Sequence, residues 1–226
     1  MNTRAWLERL VSFDTTSRNS NLALIETVRD ALAAQGLAPQ LVHAPSGDKA
    51  NLFVTLPAQD GATQGGIVLS GHTDVVPVDG QAWTSDPFAL AERDGRLYGR
   101  GTADMKGFIA TALALVPEFL AMPRSKPLHL ALSYDEEIGC VGAPVMLAEL
   151  QRRGIRADGC VVGEPTGMQV VVAHKGGQSV PLPRPWQGCP LLAHAARLQL
   201  DRACSPADLP HPRHRGPLPV LSLIHI

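Results

Sequence analysis

A histidine and an aspartate stand two residues apart where an apolar run of the sequence ends. Residues 67–69 are Ile-Val-Leu, and the small residues Ser70 and Gly71 lead from them to His72 and Asp74. Residues two apart on an extended chain point to the same side, so we expect both side chains to face one space. Such a pair can be a metal ligand with an acid that orients its ring. It can equally be an edge histidine beside a turn aspartate, and this stretch alone leaves both interpretations open.

The glycine-rich stretch 99–107 places Asp104 at the start of a predicted helix over 105–120. Its glycines suggest a phosphate-binding loop, but an aspartate stands where a dinucleotide fingerprint needs its third glycine, and the sequence contains no G-K-[ST]. A nucleotide-binding domain is therefore not predicted. The side chain of Asp104 can cap the helix or reach into a site.

Further acids follow two predicted strands. Asp135, Glu136 and Glu137 come directly after the strand at 128–133, and Glu164 follows the next predicted strand. Consecutive acids usually indicate a solvated turn. At one edge of a sheet with His72, however, their repulsion must be offset by a cation or by raised pKa values. The combined set offers nitrogen and oxygen ligands without thiolate, which favours zinc, cobalt or manganese in a catalytic role.

The elements that would position these groups alternate between strand and helix. Strands are predicted at 40–43, 51–56, 128–133, 159–163 and 168–173, with a central strand in the apolar run that begins at Ile67 and ends in the turn before His72. A hairpin is predicted at 91–98, and helices from 3, where Thr3 would be the cap, and over 21–35, 105–120 and 144–153. This alternation predicts an α/β fold whose site lies along the carboxyl ends of the strands.

Composition excludes several classes of function. The chain of 226 residues is 45% hydrophobic and 18% charged, as in an ordinary globular domain. Its formal net charge of -1 gives no reason to expect nucleic acid or an anionic membrane as partner. The four cysteines lack C-x-x-C spacing, which argues against a zinc knuckle or a redox dithiol. No long apolar stretch follows the start, so we predict no signal peptide or membrane span and a cytoplasmic location.

Four motifs, in this order and separation, resemble the M20 family of di-metal amidohydrolases and peptidases. They are Ser70–Val78, Gly99–Gly107, Asp135–Glu137 and Gly163–Thr166. The resemblance covers about residues 1–176 and implies a three-layer α/β/α metallopeptidase-like catalytic domain. It also implies hydrolysis of an amide bond in a small N-acyl amino acid, two divalent ions (zinc or cobalt) as cofactors, and a homodimeric parent protein. Other substrates of the family, peptides included, stay open.

The resemblance also implies the metal ligands. His72 would bind one metal, and Glu164 would complete the ligands of that metal. Asp104 would bridge the two metals, and Glu137 would bind the second. The peptide bond between Asp104 and Met105 would be cis.

Two further residues would be catalytic by the same resemblance. Asp74 would hydrogen-bond behind the ring of His72 and fix its orientation. Glu136 would stay off the metals and act as general base.

Residues 177–226 do not continue these motifs. They hold nine of the chain's 19 prolines and no lysine or glutamate, and only 191–200 could form a helix. This composition predicts an irregular tail in place of the family's lid domain, arising from a shifted reading frame or an assembly error. Its histidines, at 194, 211, 214 and 225, receive no role. We expect the chain to be truncated, poorly soluble and inactive, or a non-catalytic remnant.

Overall fold

The computed structural model describes residues 1–171 and the backbone of residues 223–225. Its contacts divide the chain into a unit of residues 1–170 with 221–226 and a unit of residues 171–220. The helices and strands of the described residues all belong to the first unit. They are α1 (Thr3–Val11), α2 (Leu22–Ala33), β1 (Gln40–His43), β2 (Ala50–Leu56), β3 (Ile67–His72), β4 (Ala91–Arg93), β5 (Arg96–Tyr98), α3 (Lys106–Ala114), α4 (Val116–Ala121), β6 (Leu128–Ser133), α5 (Gly142–Arg152), β7 (Gly159–Val162) and β8 (Leu223–His225).

Six of these strands form one mixed sheet in the order β1-β2-β6-β3-β7-β8. β2 runs antiparallel to both β1 and β6, whereas β3 is parallel to β6 and β7. The register places His72 opposite Ser133 and Ser70 opposite Val162. The carboxyl ends of β3, β6 and β7 therefore meet at one edge, as the sequence predicts.

Helices cover both faces of this sheet, and alternate residues of β2 show the two layers. Leu52 and Leu56 are fully buried in the larger core, which includes residues of α1, α2 and α3. Phe53 points the other way and packs with Met146 of α5 and Ala131 of β6. The three-layer α/β/α prediction is confirmed.

Apart from shifts of one or two residues at the ends of α2 and α5, two features of the helices differ from the prediction. The cap of α1 is Asn2, whose side-chain oxygen accepts a hydrogen bond from the backbone of Ala5 at 2.9 Å, and not Thr3. The single helix predicted over 105–120 is two helices that meet at Leu115. Pro117 explains the break because it has no N–H to donate to the carbonyl four residues earlier, and its ring crowds that carbonyl.

The predicted strand at 168–173 is wrong for residues 168–171, and residues 172 and 173 lie outside the described residues. Met168 has a φ of 64°, and the backbone of Gln169 donates to Thr166. A non-glycine residue in this left-handed region turns the chain, which cannot then continue as a strand. The side chain of Met168 is consequently 81% exposed.

The prediction of an irregular tail is wrong at residues 223–225, which form β8. Their backbone pairs in parallel with β7, Cys160 opposite Leu223 and Val162 opposite His225. These residues follow the last proline, at 219, so each of them has an N–H for the ladder. The predicted helix at 191–200 and the remaining tail histidines lie outside the described residues. Within the described part of the chain, every helix is too short or too polar to cross a bilayer.

Candidate metal centre

His72 stands at the carboxyl end of β3 with its ring almost fully buried, 2% exposed. Its Nδ1 lies 2.9 Å from the backbone carbonyl oxygen of Asp74 and 3.4 Å from the Asp74 carboxylate. A carbonyl can only accept, so Nδ1 carries the proton and donates it. The lone pair of the neutral ring is then on Nε2, which is the arrangement of a histidine ligand oriented by its neighbours.

Carboxylates from three other segments surround this Nε2 atom. Asp104 Oδ1 lies 3.0 Å from it, Glu164 Oε1 3.7 Å and Glu136 Oε2 3.9 Å. Glu137 joins His72 and Asp104 in one group of three possible ligands, and Glu136 joins His72 and Glu164 in another. The ligand atoms of each group lie within 4.8 Å of one another, close to the spacing of ligands around a small divalent ion.

All five side chains predicted to surround the site are thus brought together, and the oxygen and nitrogen donors fit a zinc or cobalt ion. Glu136 lies within ligand spacing of His72 and Glu164, and Glu137 lies within the same spacing of His72 and Asp104. These distances do not distinguish a metal ligand from a base. Which acid binds an ion and which acts as base stays a prediction.

The site carries the excess negative charge that its residue types imply. Burial, together with the neighbouring acids Asp104 and Glu136, raises the pKa of Glu164 to about 7. Burial and the charge of Asp104 also raise the pKa of Glu137. Burial alone would lower the pKa of His72, but the carboxylates around it outweigh burial and raise that pKa to about 9. Burial is the largest cause of the two glutamate shifts and the neighbouring acids add to it, whereas the raised pKa of His72 against its burial indicates that the site favours positive charge.

Asp74 does more than orient the ring of His72. Its buried carboxylate accepts hydrogen bonds from the hydroxyl of Ser17 at 2.7 Å and from the backbone N–H groups of Glu136 at 2.9 Å and Glu137 at 3.2 Å. Burial opposes ionisation, but these bonds and His72 keep the pKa of Asp74 below its ordinary value. The carboxylate thus also holds the loop that bears both glutamates, while the shorter contact to the ring comes from the Asp74 carbonyl. The role predicted for Asp74 in orienting His72 stays a prediction.

Asp104 reaches into the site from the segment before α3. It does not cap that helix, whose N-cap is Met105 without a side-chain hydrogen bond. The Asp104–Met105 peptide bond is cis, as predicted from the family resemblance. Position 107 of this stretch requires glycine for lack of space, because a Cβ there would lie 2.3 Å from the carbonyl oxygen of Thr102. The glycine-rich stretch is thus a close turn at the site's edge.

The sequence of residues 68–217 matches the family described as Peptidase family M20/M25/M40. The chain belongs to this family. The family match continues past residue 176, where the motif resemblance ends, so the boundary placed there stays a prediction.

Members of the M20 family with high sequence identity include curated acetylornithine deacetylases. The enzyme of Pasteurella multocida is 40% identical over 166 residues, which are 73% of this chain and 42% of that protein. The enzyme of Yersinia pseudotuberculosis is 41% identical over 165 residues, 72% of this chain and 42% of that protein. The chain therefore spans about two fifths of the length of these relatives.

Solved structures show the same M20 fold at lower identity. Human carnosine dipeptidase 1 superimposes with a TM-score of 0.62 at 22% identity, over 78% of this chain and 40% of the dipeptidase. The M20 family metallo-carboxypeptidase from Sulfolobus solfataricus gives a TM-score of 0.58 at 21% identity, over 72% and 37% of the two chains. These likenesses confirm the catalytic-domain architecture.

Three residues near the M20 site escaped the sequence analysis. Ser17 lies in none of the four motifs, yet its hydroxyl donates to the Asp74 carboxylate. Lys49 precedes β2, and its buried ammonium contacts Asp135. Lys106, fully buried, donates to the carbonyl of Phe13 at 2.8 Å, and burial lowers its pKa to about 7. Lys106 lies within a quoted motif, but nothing in the spacing of Ser17 or Lys49 indicates their partners.

Proposed function

We propose that this chain carries the metal centre of a deacylase that hydrolyses N2-acetyl-L-ornithine to L-ornithine and acetate, a cytoplasmic step of arginine biosynthesis. The observation that carries the proposal is the convergence of His72 Nε2 with four carboxylates at one edge of the sheet. Identity of about 40% to acetylornithine deacetylases supports this substrate among those of the family.

In this proposal, His72 and three carboxylates hold two divalent ions, zinc or cobalt. Asp104 would be shared by the two ions, Glu137 would hold one of them, and Glu164 with His72 would hold the other. The bound ions supply Lewis acidity, which lowers the pKa of a water molecule and polarises the amide carbonyl. The hydrogen bond from Nδ1 of His72 to the Asp74 carbonyl keeps Nε2 directed at this space.

Glu136 is the general base of the proposal. Its backbone N–H donates to the Asp74 carboxylate, and its own carboxylate lies 3.9 Å from Nε2 of His72. From there it receives a proton from the attacking water and delivers it to the leaving amine nitrogen. Because the base takes and returns a proton without binding an ion, its replacement by glutamine should slow turnover and leave ion binding intact.

The test measures amine release from N2-acetyl-L-ornithine in the presence of Co²⁺, with N-succinyl-LL-diaminopimelate as the competing substrate that the sequence leaves open. Because the chain spans about two fifths of the length of its relatives, a chimera is also measured. In this chimera, residues 1–171 replace the matching part of the Pasteurella multocida enzyme. We expect the chimera to hydrolyse acetylornithine. A folded, Co²⁺-binding chimera without hydrolysis would contradict the proposal in favour of a non-catalytic remnant.

Glu136→Gln and Glu92→Gln are the matched variants in that chimera. Glu136→Gln should lower kcat by about 10²-fold or more, whereas Glu92, exposed and paired with Arg4, should tolerate the same change. Loss of bound Co²⁺ in Glu136→Gln would make Glu136 a ligand and contradict its role as base. Hydrolysis by the 226-residue chain alone would overturn the sequence-based prediction that it is inactive.

A further inference from the structure

A buried lysine lies behind the acidic loop of the proposed site. Lys49, in the turn before β2, is 8% exposed. Its ammonium lies 2.5 Å from the carboxylate of Asp135 and donates a second hydrogen bond to the backbone carbonyl of Ser17. The side chains of Lys49 and Asp135 are each 10% exposed, so the ion pair is nearly shielded from water.

Both partners of Lys49 lead directly to the residues that face the metal site. Asp135 immediately precedes Glu136 and has a φ of 55°, a conformation uncommon for a residue with a side chain. Ser17 donates its hydroxyl to the Asp74 carboxylate, the acceptor for the backbone N–H groups of Glu136 and Glu137. One ammonium thus joins the loop after α1 to the loop after β6.

The energetics of a buried pair make this link decisive for the loop. An exposed ion pair contributes little, because water solvates either charge when the other is removed. A buried pair differs, since removing one partner leaves the other charge without solvent or counter-ion. Without the Lys49 ammonium, the Asp135 carboxylate must turn toward water, and the adjoining backbone of Glu136 turns with it.

We propose that Lys49 is a positioning residue of the metal centre: through Asp135 and Ser17 it fixes the loop that presents Glu136 and Glu137 to His72. The inference rests on the proposed function for its consequence in catalysis, but its geometry concerns the metal centre alone. In the described part of the chain, the hydrogen bonds of its ammonium go to Asp135 and Ser17, so Lys49 acts through the loop and not as a ligand.

The test uses Co²⁺ alone as probe and the 226-residue chain as protein. Co²⁺ affinity and the visible absorption spectrum of the bound ion are measured for wild type, Lys49→Met, Lys49→Arg and Lys126→Met. Lys126 is the matched control because it forms an exposed ion pair with Asp158 at 2.7 Å, with side chains 66% and 48% exposed. The spectrum reports the ligand geometry, which a general loss of stability does not change in molecules that remain folded.

We expect Lys49→Met to bind Co²⁺ at least about tenfold more weakly with an altered spectrum, Lys49→Arg to restore much of both, and Lys126→Met to match wild type. Wild-type affinity and spectrum in Lys49→Met would overturn the proposal. If circular dichroism shows Lys49→Met unfolded, the double variant Lys49→Met/Asp135→Asn replaces it under the same two outcomes, because it leaves no unpaired charge and asparagine tolerates the left-handed backbone at position 135. If the wild-type chain binds Co²⁺ but neither it nor the chimera hydrolyses the substrates, that result counts against the proposed function and leaves this inference standing.

Discussion

Asp74→Asn should be among the most destabilising single-atom changes in the described chain. The Asp74 carboxylate is buried, 2% exposed, and its two oxygens accept three hydrogen bonds. Oδ1 accepts from the backbone of Glu136, and Oδ2 accepts from the Ser17 hydroxyl and the backbone of Glu137. Asparagine keeps the shape of aspartate but has only one carbonyl oxygen. Its amide nitrogen must therefore face hydrogen-bond donors at one of the two oxygen positions.

The magnitude follows from the number of bonds lost. A hydrogen bond to a charged acceptor contributes about 1.5–3 kcal/mol. With its nitrogen at the Oδ2 position, the amide loses the bond from Glu137 and weakens the remaining two through loss of charge, and the Ser17 hydroxyl can rotate to accept. We therefore expect the free energy of unfolding to fall by about 3 kcal/mol, a large part of the stability of a domain.

Urea unfolding followed by far-UV circular dichroism measures this loss, with Asp79→Asn as the matched control. Asp79 pairs with Arg18 at 2.7 Å, but both side chains are more than half exposed. Solvent screens such a pair, so its loss should leave the urea midpoint close to that of wild type. Equal midpoints for Asp74→Asn and Asp79→Asn, at an unchanged slope, would refute the account of Asp74 as the anchor of the acidic loop.

Two further predictions concern the frame of the site. The ring of His129 is fully buried and burial lowers its pKa, so the unfolded chain takes up a proton more readily below pH 6.5 than the folded chain does. Stability should therefore fall with pH below 6.5, by up to about 1.4 kcal/mol per pH unit from this group, and urea midpoints should show a smaller fall in His129→Gln than in the exposed control His43→Gln. Gly66→Ala should prevent folding or lower the melting temperature by many degrees, because its Cβ would lie 1.8 Å from the carbonyl oxygen of Pro127. Gly61→Ala, at a similar positive φ but in open space, should cost only about 1 kcal/mol; comparable melting temperatures for the two glycine variants would contradict the steric argument.

The sheet edge and the side chains that meet there could be predicted because they depend on local patterns. An apolar run that ends in a polar residue marks the end of a strand, and the carboxyl ends of parallel strands meet at one edge. Together these two facts predict that His72, Glu136 and Glu164 lie close to one another. Asp104 needed the family resemblance as well, since its own pattern equally fitted a helix cap.

The support behind the ligands could not be predicted, because it comes from residues far apart in sequence. Lys49 meets Asp135 across 86 positions, and Ser17 meets Asp74 across 57. Both contacts depend on how the loop after α1 and the turn before β2 fold over the sheet. The strand prediction at 168–171 failed for a local reason. The apolar residues there fit a strand, but the left-handed backbone at Met168 turns the chain.

The central claim is that His72 and the surrounding carboxylates form a metal centre, and cobalt titration tests it most directly. The metal-free chain is titrated with Co²⁺ and followed by its visible absorption, with His72→Ala compared with His43→Gln, a change of an exposed histidine. The account predicts stoichiometric binding of about two ions in wild type and His43→Gln, and loss of at least one ion in His72→Ala. A wild-type chain that is folded but binds no Co²⁺, or a His72→Ala variant that binds as wild type does, would contradict it.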